Sequence, residues 1–132
     1  MPSQAISDRL AKTDPTNSEW QRDVAISYGR IASVLNAQGN LAAALESYKA
    51  SQAISDRLAK TDPGNAEWQR DLALSFGRVA MVDKKLDAPD NALSAFRQGR
   101  SIIERLIQLS PGNATLPKDL AWFNKQLVAL EK

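Results

Sequence analysis

The chain has no cysteine and no histidine among its 132 residues. Without cysteine there is no disulfide framework and no thiolate to act as nucleophile or ligand. Without histidine, the commonest general base and the commonest metal ligand are both missing. Aromatic residues are only 6% of the chain, and glycine and proline number 6 each. Structural punctuation is therefore sparse, and most of the chain is open to regular structure. No long apolar run occurs. The longest, Leu41 to Leu45, is far short of the roughly 20 residues a membrane-spanning helix requires. Neither sign of charge dominates. Seventeen basic residues against 15 acidic ones give a net charge of +2, too little to draw in nucleic acid or an anionic membrane. Met1 and Pro2 lead straight into the next segment without the basic stretch and apolar core of a secretory leader. The expected location is cytoplasmic. No glycine-rich phosphate loop, no GxSxG elbow and no metal-ligand cluster is present. Every Asp and Glu has an Arg or Lys close by in sequence, the pattern of solvated helix faces. The expectation is no catalytic site, no metal and no cofactor.

What the chain does contain is a long internal repeat. Ser3 to Pro15 reads SQAISDRLAKTDP, and Ser51 to Pro63 reads the same. Over residues 3–50 against 51–98, 27 of 48 positions are identical. A third, decayed copy keeps the frame through Ile102, Arg105, Leu106, Pro111, Gly112 and Asn113. A fixed period of this length marks stacked supersecondary units, each burying its apolar face against a neighbour.

Each unit divides into two helical stretches. The first runs from about Ser18 to Gln38, with Asn17 as cap and Glu19 in the first turn, where the helix dipole favours a carboxylate. Trp20, Val24, Tyr28, Ile31 and Leu35 form its apolar stripe. Gly39 suits the left-handed helix end. The second stretch runs from about Leu41 to Thr61, with Ala44, Leu45, Tyr48, Ser51, Ile54 and Leu58 inward, and stops at Asp62 and Pro63. The next unit repeats this with Asn65 as cap, Asp87 in place of the turn glycine and Pro89 in a first turn. A last helix covers roughly Thr115 to Leu130.

The stretch from Ala25 to Ser51 resembles a tetratricopeptide repeat. Tyr28 stands at that family's aromatic position, Ile31 and Ala32 at its aliphatic-small pair, Gly39 at the turn, and Ala44 and Tyr48 on the second helix. Phe76, Val79, Ala80, Ala92 and Phe96 keep the same frame in the next unit. The family repeat is usually about 34 residues; here about two turns of helix are added at each end of the pair. The resemblance implies an all-α solenoid of antiparallel helix hairpins, with about six helices in one domain: a half repeat at 3–16, repeats at 17–64 and 65–112, and a terminal helix at 113–132. It also implies protein or peptide binding through a concave face and no catalysis.

In that family the place of Ile26, Leu74 and Trp122 faces the concave groove. Ser33 and Met81 share the face, with Asn36 and Lys84 one turn beyond. These seven residues are the expected partner-binding set. They read equally as packing between first helices. Trp20 and Trp68 lie on the apolar stripe and read as core. Arg22 with Asp23, Arg70 with Asp71, and Lys118 with Asp119 read as ion pairs within and between repeats. Gly29 and Gly77 sit mid-helix, where neighbouring helices are expected to approach closely. The family's carboxylate clamp would need lysine and asparagine at Gly29 and Ser33, so that activity is not expected.

Two other functional classes fit the pattern less well. A helical repeat can bind RNA, but that needs a basic groove. Head-to-tail self-association is the other alternative. The helix at Ser3 to Thr13 and the helix at Thr115 to Leu130 are complementary unpaired halves. Phe123 is either part of such a contact or a local cap over Ile103 and Ile107.

Overall fold

Asn17 and Asn65 begin two helices in the same way. Each side-chain Oδ1 accepts the backbone N–H three residues on, from Trp20 and Trp68, at 3.0 Å. That satisfies one of the donors a helix start leaves unpaired. The computed structural model describes residues 17–131. Its five helices are α1 (Ser18–Ala37), α2 (Leu41–Thr61), α3 (Ala66–Lys85), α4 (Pro89–Leu109) and α5 (Thr115–Glu131). The described residues contain no strand. The half repeat expected at 3–16, and with it the sixth helix, lies outside them.

The turns follow local chemistry. Gly39 has φ +80°, and the N–H of Asn40 reaches back to the Leu35 carbonyl at 2.9 Å, closing the end of α1. Asp87 takes over this role at the end of α3 with φ 59°. Its neighbour Ala88 donates to the Asp83 carbonyl at 2.9 Å. Aspartate is among the few residues with a side chain that tolerate the left-handed region, so the same closure survives the loss of glycine. α2 and α4 end just before Pro63 and Pro111.

Each helix packs mainly on the next in the chain. The largest buried cluster joins α3, α4 and α5 through Leu72, Phe96, Ile103, Leu106, Leu116, Phe123 and Leu127. Two smaller clusters join α1, α2 and α3. One holds Val24, Ala25, Ile54 and Leu58, with Tyr28 and Trp68 against it. The other holds Ala32, Tyr48, Val79 and Val82.

The buried arc of α1 differs from the expected stripe. Val24, Ala25 and Ala32 are buried, while Tyr28, Ile31 and Leu35 are only half-buried. The arc is turned toward the small residues because the alanines let α2 approach closely. Trp20, expected in the core, is 40% exposed. Trp68 is half-buried against Val24, Ile54 and Leu58. Phe123 is fully buried within the cluster that includes Ile103, with Ile107 packed on it, as a local cap requires.

Candidate functional site

The first helices of successive units, α1, α3 and α5, are bridged by side chains 45 or 49 positions apart. Arg22 Nε donates to Asp71 Oδ2 at 2.9 Å, and Arg22 Nη2 lies 2.7 Å from Glu67 Oε1. Arg70 grips Asp119 with both prongs, Nε to Oδ2 at 2.8 Å and Nη2 to Oδ1 at 3.2 Å. Lys85 Nζ donates to Asn36 Oδ1 at 3.0 Å. The hydrogen bonds to Asp71 and Asp119 hold both guanidinium groups above their ordinary pKa, against the opposing effect of burial. These arginines remain about a third exposed, so each bridge contributes about 1 kcal/mol at most. Their main effect is to hold the helices in one register.

Two grooves lie along this face, in equivalent places one repeat apart. The larger, about 380 Å³, lies between α1 and α3 over α2. Ile26, Gly29, Arg30, Ser33 and Asp71 border it, and Tyr48, Ser51, Ser55 and Ser75 make its floor and wall. The smaller, about 190 Å³, lies between α3 and α5, bordered by Leu74, Gly77, Arg78, Met81, Asp119 and Trp122. Arg78 lines both.

Four substitutions between the copies account for the difference in size and polarity. Moving forward 48 positions, Ser51 becomes Gly99, Ser55 becomes Ile103, Leu74 becomes Trp122 and Ser75 becomes Phe123. In the second place Phe123 fills the interior. A Cβ added to Gly99 would meet its ring at 2.5 Å and the Ala73 carbonyl oxygen at 3.0 Å. Trp122 and Phe123 stack edge-on, centroids 5.1 Å apart, and Phe96 meets both rings. In the first place the serines stay small. Ser51 Oγ donates to the Ala25 carbonyl at 2.8 Å, and Ser75 Oγ to the Leu72 carbonyl at 2.6 Å. With their own hydroxyls satisfied by backbone, they leave room above them.

The two mid-helix glycines differ accordingly. A Cβ on Gly77 would lie 2.9 Å from Trp122 Cζ3, as close helix approach predicts. A Cβ on Gly29 would meet only Ser51 Oγ, at 4.0 Å, because Gly29 borders open space. Gly29→Ala is expected to stabilise the protein by up to about 1 kcal/mol, the helix-propensity difference. Gly77→Ala is expected to give less or a net loss, since the Trp122 ring must move. Thermal melts of the two variants provide the check; the reverse order would mean that the groove over Gly29 is closed in solution.

Of the expected binding residues, Ile26 and Ser33 border the larger groove, and Leu74, Met81 and Trp122 the smaller. Ile26 and Trp122 are 40% and 37% exposed. Asn36 and Lys84 line neither groove. Asn36 instead accepts the Lys85 hydrogen bond, and Lys84 is exposed in the last turn of α3. The face carries charge beside the apolar side chains of Ile26, Leu74 and Met81. Arg30 and Arg78 are exposed on it and form no ion pair among the described residues. The signal for them was present: each follows Ile26 or Leu74 by four residues, hence on the same helix face.

Among the described residues no helix is long and apolar enough to cross a membrane. No group of three or more acidic side chains is placed to hold a metal ion there. No protein-family model and no curated protein matches the chain.

Proposed function

We propose that the chain is a tetratricopeptide-like solenoid that binds an extended segment of a partner polypeptide across the face formed by α1, α3 and α5. An acidic side chain of the partner lies between Arg30 and Arg78 in the serine-floored groove. An apolar side chain lies between Met81 and Trp122 in the smaller one. The observation that carries this reading is the pair of same-register grooves with different chemistry, joined at Arg78. Two adjoining grooves select two successive side chains of one extended chain better than they fit a single small ligand. The two guanidinium groups, which form no ion pair among the described residues, supply planar, bidentate recognition of a carboxylate, and the tryptophan edge supplies an apolar anchor.

The test begins with selection from a random displayed-peptide library. Enriched peptides are expected to place an acidic residue a short distance from an apolar one. Arg30→Glu with Arg78→Glu should weaken the selected peptides by at least about tenfold, the effect of losing a charge-assisted contact worth about 1.4 kcal/mol or more. Leu74→Trp, which enlarges a residue bordering the smaller groove, should abolish binding by filling that groove while leaving the melting midpoint unchanged or raised. No enrichment, or enriched peptides indifferent to all three changes, would overturn the proposal. A large stability loss in Leu74→Trp would show that Leu74 packs the helices and does not border free space.

A further inference from the structure

On the opposite side of α3 from the two grooves lies a third cleft, of about 240 Å³. Its floor is Phe76, Val79 and Asp83 of α3. Lys49 and Gln52 of α2 form one wall, and Asn91, Ser94, Ala95 and Gln98 of α4 the other. Asp83 is only 5% exposed. Its carboxylate nevertheless takes no hydrogen bond and no ion pair from any described residue. Lys49 acts on it through space from beyond ion-pair reach. Burying an unpaired carboxylate is costly, and the fold has no need of one here: 48 positions earlier the same place holds Leu35.

We propose that this cleft receives an arginine side chain of a partner polypeptide, with the guanidinium on Asp83. The cleft is smaller than the roughly 300–1,000 Å³ of small-molecule sites and suits one side chain. A guanidinium offers five N–H donors in one plane and no acceptor. Two of them fit the Asp83 carboxylate side by side. The others have the polar side chains of Gln52, Asn91, Ser94 and Gln98 within the same cleft, where Gln98 Nε2 already donates to Ser94 Oγ at 3.3 Å. The alkyl stem lies on Val79 and Ala95, and Phe76 presents a ring to the cation. An ammonium carries only three donors and is more strongly hydrated, so it leaves more of these acceptors unmet. Lys49 at the wall repels the incoming cation and sets a limit on affinity. The site is independent of the groove on the other side of α3, and its failure would leave the peptide reading untouched.

The experiment is an NMR titration of isotope-labelled protein with N-acetyl-arginine amide, and in parallel with N-acetyl-lysine amide. The arginine probe is expected to shift amides of α2, α3 and α4 around the cleft, saturating with a Kd on the order of 1 mM, as suits a single side chain. Asp83→Asn should weaken it at least tenfold. Asp83→Leu, which restores the residue of the preceding copy and so keeps the fold, should remove it. Lys49→Ala should tighten it severalfold. The lysine probe should bind at least severalfold more weakly. Absence of saturable shifts, shifts that persist in Asp83→Leu, or equal binding of the two probes would each overturn the proposal.

Discussion

Phe123→Ser is expected to cost about 3–5 kcal/mol of folding free energy, the range for removing a large aromatic from a packed core. The melting midpoint should fall by roughly 10 °C or more. Serine is nevertheless the residue that the preceding copy carries at this place, as Ser75, where it is buried and bonded to the Leu72 carbonyl. The cost arises because Gly99 has already given up its side chain to make room for the ring. Gly99→Ser alone is also expected to destabilise, by about 1–3 kcal/mol, because its Cβ would strike Phe123 and the Ala73 carbonyl. Phe123 is fully buried and has nowhere to move. The double change recreates the Ser51 and Ser75 arrangement, in which one hydroxyl bonds the facing helix and the other its own. It should be less destabilised than the sum of the two single changes, by about 1 kcal/mol or more. Denaturant melts of all four proteins give the coupling. Additive effects would mean that Gly99 and Phe123 do not share one space.

Asp83→Leu is expected to stabilise the protein at neutral pH by about 1–3 kcal/mol, the scale of a buried polar group without a partner. Burial holds the Asp83 carboxyl above its usual range, with Lys49 opposing. In the unfolded chain the group titrates near its ordinary value of about 3.9. Below that pH it is protonated in both states and carries no charge penalty. As pH rises through the higher folded value, the unfolded state releases its proton more readily, and the wild-type protein loses stability relative to the variant. The advantage of leucine should therefore be smallest at acid pH and largest at neutral pH. Stability curves at several pH values read this difference. An advantage that does not change with pH would assign it to apolar packing alone, and a loss at pH 7 would mean that Asp83 has a partner in solution.

The arginine bridges show what register alone could and could not supply. Arg22, Arg70 and their neighbouring aspartates were legible as ion-pair residues from their recurrence at 48. Their partners were not: Arg22 passes over adjacent Asp23 and reaches Asp71 on the next first helix. Residues i and i+1 point to different sides of a helix, so the choice depended on where α3 stands. The groove residues divide in the same way. Ile26, Leu74 and Trp122 could be placed on one face from periodicity, and Arg30 and Arg78 share it. Whether that face was filled or open turned on Ser51, Ser75, Gly99 and Phe123, which lie on other helices or other sides.

By itself the sequence determined the all-helical character, the repeat of 48, and the helix ends, because caps, left-handed turns and prolines act on the backbone within three or four residues. Asn17, Asn65, Gly39, Pro63 and Pro111 do so here without reference to anything distant. Tertiary structure alone decided that Val24 and Ala25 are buried deeper than Ile31, that Trp20 is exposed, that one groove is open and its equivalent filled, and that the Asp83 carboxylate is buried with no hydrogen bond or ion pair among the described residues. Each of these is an environment assembled from two or three helices whose contacting residues lie some 25 to 50 positions apart. Burial and free space are properties of that assembly, and no local spacing encodes them.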